Sequence, residues 1–220
     1  MNDSSTSSVL IMTAVEAERQ AVLRGLNGDD RFDVVIAGVG APSAAARTAA
    51  AIAARPEAYR CVISAGIGGG FAGRAALGEI VIADTIIAAD LGAETPDGFA
   101  SVDELGFGSS RIEAAPALSQ RWAAALQAAG LPARYGPVLT VNTATGTAAT
   151  AEALAARYPG AAAEAMEGYG AAVAAQAQQI PALEIRTISN AVGPRDRAAW
   201  RIPEALQQLQ AAVSILPEVL

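Results

Sequence analysis

Short, unbroken apolar runs alternate along this chain with stretches in which apolar residues recur at helical spacing. Residues 9–14 (VLIMTA) make an apolar run of strand length, and over residues 16–26 the apolar positions fall near a 3.6-residue period. A buried strand followed by a helix is expected there. The same reading predicts strands at Asp33–Ala37, Arg60–Ala65, Glu79–Ala88, Tyr135–Thr140 and Pro181–Ser189. It predicts helices at Pro42–Ala54, Pro116–Ala129, Thr147–Tyr158, Glu167–Gln178 and Pro203–Leu216. Proline at the first turn of three of these helices suits its fixed φ and missing N–H. Asp90–Ser110 is polar, glycine-rich and without period, so it is expected to be a long surface loop or interface segment. The polar stretch 1–8 reads as a disordered tail, and 9–220 as one domain. The fold class this predicts is α/β, a three-layer αβα domain with a central mixed β-sheet flanked by helices.

Composition narrows the chemistry. The chain has 220 residues, 52% of them hydrophobic, with a mean hydropathy of +0.32, which is enough for a buried core. No apolar run reaches membrane-spanning length, and the polar N-terminus lacks the order of a signal peptide. Cys61 is the one cysteine, so no internal disulfide is possible, and a cytoplasmic location is expected. Histidine and lysine are both missing, and all 15 basic residues are arginine. That excludes a histidine-based triad, a histidine-ligated zinc site, a lysine Schiff base and the P-loop lysine. Acid–base work falls to carboxylates. A net charge of −7 argues against nucleic acid as partner.

Two glycine clusters need interpretation. Gly68, Gly70 and Gly73 satisfy G-x-G-x-x-G, but that fingerprint must open a helix holding pyrophosphate. Here another apolar strand follows within a few residues, so the dinucleotide reading fails its context. Tight turns at strand ends would explain GVG at 38–40 and GIGGGFAG at 66–73. A close approach of backbone to a ligand would explain them as well.

The candidate chemistry lies in three places. Glu16 and Glu18 follow the first strand in T-A-V-E-A-E-R. Met166 and Glu167 stand in A-M-E-G, in a window with few other charges. Asn190 sits where the apolar run 182–188 gives way to Gly193 and Pro194 in I-S-N-A-V-G-P-R-D-R-A-A-W. Polar residues at the C-terminal edge of a strand are where open α/β sheets place ligand chemistry. Taken singly, the acids could simply favour first helical turns, and Asn190 could be a turn residue.

Together these motifs resemble the nucleoside phosphorylase/nucleosidase family over nearly the whole chain. The resemblance implies a phosphorylase/hydrolase-like fold, a small-molecule nucleoside as partner and no metal or organic cofactor. It also implies a homo-oligomer, a dimer or higher, built through exposed sheet and loop surfaces. Glu18 would be the general base, Met166 and Glu167 would hold the ribose, and Asn190 would bind and polarise the departing base. Val15, Ile67, Gly68, Thr145, Gly146 and Ser189 would line the substrate. By their own chemistry Arg195, Arg197 and Trp200 offer cations and an aromatic face to a carboxylated tail, and the same stretch reads equally as a solvated loop before the Pro203 helix. Ser64 stands where many phosphorylases carry arginine, and Ile67 where they carry serine, so water is expected as the nucleophile. Adenine-releasing relatives carry aspartate at the Asn190 position. An amide donates to a 6-oxo group instead, which favours a hypoxanthine nucleoside. Thr145 replaces a stacking aromatic, leaving Phe71 or Tyr169 as candidates to close the base pocket. An adenine-releasing nucleosidase, a purine nucleoside phosphorylase and a non-catalytic nucleoside-binding protein are the alternatives.

Overall fold

The structure, a computed structural model, describes residues 8–220. It contains the strands β1 (Ser8–Thr13), β2 (Phe32–Ile36), β3 (Tyr59–Gly70), β4 (Ile80–Ala88) and β5 (Gly92–Thr95). β6 (Gly98–Ser101), β7 (Arg111–Glu113), β8 (Ala133–Thr140), β9 (Ala163–Ala165) and β10 (Ala182–Ala191) complete the set. The helices are α1 (Glu16–Leu26), α2 (Ala41–Ala54), α3 (Pro116–Ala128), α4 (Ala148–Arg157), α5 (Gly168–Gln176), α6 (Ile202–Ser214) and α7 (Leu216–Val219).

The expected α/β class, a mixed central sheet flanked by helices, is what the chain forms. The strand order is β10-β4-β8-β9-β3-β1-β2, and an additional β10–β3 pairing closes β10, β4, β8, β9 and β3 into a ring. β3 is parallel to β1 and β10, while β4 runs antiparallel to β10. Alternate residues of each strand feed two cores. Val9, Ile11, Ile63 and Ile185 pack with α1, α3 and α6, around Trp122, Leu126 and Leu209. Leu10, Met12, Val62 and Ile188 pack on the other side with Ala44 and Ile52 of α2 and Ala172 and Ala175 of α5. Burial on both faces is why these strands read as continuous apolar runs. Among the described residues no helix is long and apolar enough to cross a membrane.

Several expectations change. Ser8 is a buried β1 residue rather than tail, and residues 1–7 lie outside the described part. The 90–110 segment contains a small antiparallel hairpin, β5–β6, and is not a plain loop. β3 runs on through Gly70, five residues past the predicted end, so Gly66–Gly70 are strand residues and not a turn. Gly38 and Gly40 do have positive φ, 81° and 92°, as a turn into α2 requires.

Candidate active site

The C-terminal ends of β1, β3, β9 and β10 converge on a cavity of about 350 Å³. It is lined by Val15, Glu18, Ile67, Gly68, Thr145, Met166, Glu167, Ser189, Asn190, Arg195 and Trp200 of the predicted residues. Val39, Gly69, Ala144, Glu164 and Ala165 also line it. Gly146 and Arg197 do not. The Gly146 carbonyl accepts the Arg195 N–H at 3.2 Å, tying two loops together at the rim. Arg197 lies in a single 3₁₀ turn, its guanidinium 5.9 Å from the Trp200 ring. Arg195 stacks on the same ring at 5.7 Å.

Glu18 occupies the third position of α1 and is 3% exposed. Its Oε2 accepts the N–H groups of Ala14 and Val15 at 2.8 and 3.2 Å, and its Oε1 accepts Ile67 N–H at 2.9 Å. Burial pushes its pKa above the ordinary carboxylate value, while the Arg186 charge and the backbone donors pull the other way. A rigid carboxylate made more basic by burial suits proton abstraction better than an exposed one. Glu16 points to solvent and pairs with Arg19 at 3.3 Å, outside the cavity.

The approach of Glu18 to β3 depends on glycine. A Cβ at Gly66 would collide with the Glu18 carboxylate and come within 2.7 Å of Arg186 Nη1. At Gly68 it would meet the Glu164 carbonyl at 2.8 Å, and at Gly69 it would meet Asn190 Nδ2 at 3.1 Å. Close approach is therefore what this glycine run serves.

Beneath the cavity lies a charged cluster that reading the sequence missed. Arg186, 1% exposed, pairs through Nε with Glu184 Oε1 at 2.8 Å and through Nη1 with Glu167 Oε2 at 3.2 Å. Its Nη2 donates to Ser64 Oγ at 2.7 Å. Burial alone would lower the Arg186 pKa, but Glu184, Glu167 and Glu18 outweigh it and raise the pKa. Glu184 is itself raised by complete burial, with Arg186 opposing. The signal for this pair was present: two charges two residues apart, on one face of an otherwise apolar strand. Glu167 also receives the Gly40 N–H at 3.2 Å, which ties the turn before α2 to the site.

A register shift between Ile188 and Asn190 marks a bulge at Ser189, the kind of irregularity that re-aims a side chain. The Ser189 hydroxyl donates to Asn190 Oδ1 at 2.8 Å, and Asn190 Nδ2 donates to Ala191 O at 3.0 Å. The amide oxygen is thus engaged, and the NH₂ group keeps one hydrogen for a ligand. Neither suggested aromatic closes the pocket. Phe71 is buried against Ile87, Leu139 and Leu154, and the Tyr169 hydroxyl is taken up by the Ser109 carbonyl. Trp200 is the aromatic wall. Among the described residues no group of three or more His, Cys, Asp or Glu is arranged to hold a metal ion.

The chain belongs to the phosphorylase superfamily, whose sequence profile matches residues 15–219. It is 51% identical to the futalosine hydrolase of Streptomyces coelicolor, the match covering 96% of each chain. It is 47% identical to the futalosine hydrolase of Acidothermus cellulolyticus, over 94% of this chain and 89% of the relative. The 5'-methylthioadenosine/S-adenosylhomocysteine nucleosidase of Neisseria meningitidis, solved with methylthio-immucillin-A, shares the fold. Its TM-score is 0.82 at 17% identity, over 97% of this chain and 100% of that one.

Proposed function

We propose that this protein hydrolyses the N-glycosidic bond of futalosine, releasing hypoxanthine in menaquinone biosynthesis. The two futalosine hydrolases above, alike over nearly their full lengths, support that substrate. The observation that carries the reading is the spacing of chemistry along β3. Glu18 is bonded at Ile67 and Asn190 lies beside Gly69, two residues further on. That separation, about 7 Å along a strand, is on the scale from the sugar's anomeric carbon to the far ring of a purine.

In this reading Glu18 accepts a proton from water as its oxygen bonds to the anomeric carbon. The C–N bond breaks, its electron pair leaves with the base, and the base takes up a proton from solvent, to which Glu18 later returns the one it accepted. The Asn190 NH₂ stabilises the purine edge as negative charge gathers there. Glu167, fixed by Arg186 and Gly40 N–H, accepts the ribose hydroxyls, and Met166 packs on the sugar. These bonds strengthen as the ring becomes cationic, so they favour the transition state over the ground state. Water is favoured over phosphate because the cation beneath the site is already committed. Arg186 is shared among Glu184, Glu167 and Ser64, and a buried phosphate dianion beside three carboxylates and Ile67 would be costly.

Arg195 and Trp200 at the rim suit a carboxylated aryl tail, through a paired guanidinium and a ring face. A homo-oligomer in the cytoplasm belongs to the same reading; Phe107, 81% exposed on the 90–110 segment, supports a partner surface there. Chromatography of free bases released from futalosine, inosine and methylthioadenosine tests the assignment. Futalosine is expected to give hypoxanthine fastest, and preferential adenine release would replace the reading with an adenine-specific one.

A further inference from the structure

Glu164 is a carboxylate in the cavity to which nothing above gives a role. It is 7% exposed and lines the same cavity as Asn190. Its Oε1 accepts the Thr145 N–H at 2.8 Å and its Oε2 the Thr145 hydroxyl at 2.5 Å. These two bonds fix the carboxylate, and each oxygen keeps a further lone pair. Burial raises its pKa, and the Thr145 donors oppose that. A ligand N–H would likewise relieve the cost of holding the anion there.

Its position in the sheet supplies the rest. Gly69 of β3 is in register with Asn190 of β10 on one side and with Glu164 of β9 on the other. Residues in register across neighbouring strands share a face, and the outer two are separated by two strand spacings, about 10 Å. The residue between them has no side chain, and a Cβ there would come within 2.9 Å of Val192 Cγ2 and 3.1 Å of Asn190 Nδ2. The row is therefore a donor amide, a glycine on which that amide and the Val192 methyl close in, and an acceptor carboxylate.

We infer that Glu164 reads the purine, its carboxylate accepting the N1–H of a 6-oxopurine that lies in the cavity between the two strands flanking Gly69, with its oxo edge toward Asn190. Hypoxanthine presents an acceptor at O6 beside a donor at N1. Adenine presents the reverse pattern, and its N1 lone pair would face the lone pair of a carboxylate oxygen held by Thr145. Two side chains on strands either side of Gly69 would then discriminate jointly, one at each atom of that edge. The inference rests on the nucleosidase reading above and extends it from the leaving-group amide to the second half of the base edge. Glu164 on this account is a specificity residue, acting on which base is held.

The test is calorimetric binding of hypoxanthine, 1-methylhypoxanthine and adenine to the wild-type protein and to Glu164→Gln. Wild type is expected to bind hypoxanthine about 10- to 100-fold more tightly than either other base, the usual worth of one hydrogen bond to a charged group. Glu164→Gln is expected to lose that factor for hypoxanthine and to leave 1-methylhypoxanthine unchanged. It should gain affinity for adenine, because the Thr145 hydroxyl can turn to accept from the new amide, whose other hydrogen then meets N1. A purely structural role for Glu164 would weaken all three bases alike and leave their order intact, and that result overturns the inference. Equal binding of hypoxanthine and 1-methylhypoxanthine by wild type overturns it without any variant, so a poorly folding substitution does not shield it. If no purine base binds while futalosine is still cleaved, this inference fails and the nucleosidase reading stands; if futalosine is not cleaved, both fail. If hypoxanthine binds but the order is insensitive to position 164, only this inference fails.

Discussion

Gly66→Ala adds one methyl group at the point where β3 passes under Glu18. Ordinary contact begins near 3.4 Å, yet the new Cβ would lie 2.9 Å from Glu18 Cδ and 2.7 Å from Arg186 Nη1. Neither neighbour can step aside freely. Glu18 is held by the N–H groups of Ala14, Val15 and Ile67, and Arg186 by Glu184, Glu167 and Ser64. The carboxylate must retreat by roughly half an ångström or more, and displacements approaching 1 Å cost about 10²-fold in rate. Overpacking of this kind also costs about 1–3 kcal/mol of stability, or roughly 2–12 °C in Tm for a chain of this size. A continuous assay of hypoxanthine release, with a thermal melt alongside, should show kcat down by about 10²-fold and KM little changed. Gly136→Ala, in another strand of the same sheet, meets Ala162 Cβ at an ordinary 3.4 Å and should leave kcat alone. A well-folded Gly66→Ala with kcat within roughly two- to threefold of wild type would refute the placement of Glu18 as the base.

The same geometry sets how rate and stability move with pH and how substitutions at the rim and base edge shift substrate preference. Glu18 must be ionised to accept a proton, and burial raises its pKa, so kcat/KM should rise with pH through a limb above the ordinary carboxylate range. Stability should move the other way. The raised groups Glu18, Glu164 and Glu184 favour the fold most fully below their unfolded pKa values and lose that contribution as pH rises through the folded ones; pH–rate profiles and melts from about pH 4 to 8 check both. Asn190→Asp should weaken hypoxanthine release and gain activity on the 6-amino analogue of the same nucleoside, and an unchanged base preference would remove Asn190 from base recognition. Arg195→Ala should lower kcat/KM for futalosine about 10-fold or more with little change for inosine. Arg197→Ala, outside the cavity wall, should do less, and equal losses on both substrates would mark the segment as structural.

Much of this layout was legible in the chain because burial wrote it there. β1, β4 and β10 are covered on both faces, which produces largely apolar runs with few competing readings. The motifs carrying Glu18 and Asn190 were legible because each stands at the end of such a run, and Glu167 because it opens an alanine-rich helix after a methionine. What escaped notice is local in origin. β9 is three residues, Ala-Glu-Ala, with no β-propensity of its own; pairing with β3 and β8 makes it a strand. Gly66–Gly70 resembled a loop because glycine is poor in strands, yet the Glu18 and Arg186 side chains require its bare backbone. Glu184 and Arg186 were passed over as part of an apolar stretch, although charges at alternate positions of a buried strand imply a partner within the core. Glu164 had no motif to announce it, since its place beside Gly69 is set by the pairing of distant segments.

Futalosine incubated with the protein in phosphate-free buffer and again with excess phosphate, the sugar product identified each time, decides between water and phosphate as nucleophile. With Arg186 committed to carboxylates and Ile67 lining the cavity, the rate should be the same in both buffers and the product a free sugar with hypoxanthine released in equal amount. A rate that depends on phosphate, with a sugar 1-phosphate accumulating, would contradict the hydrolase reading.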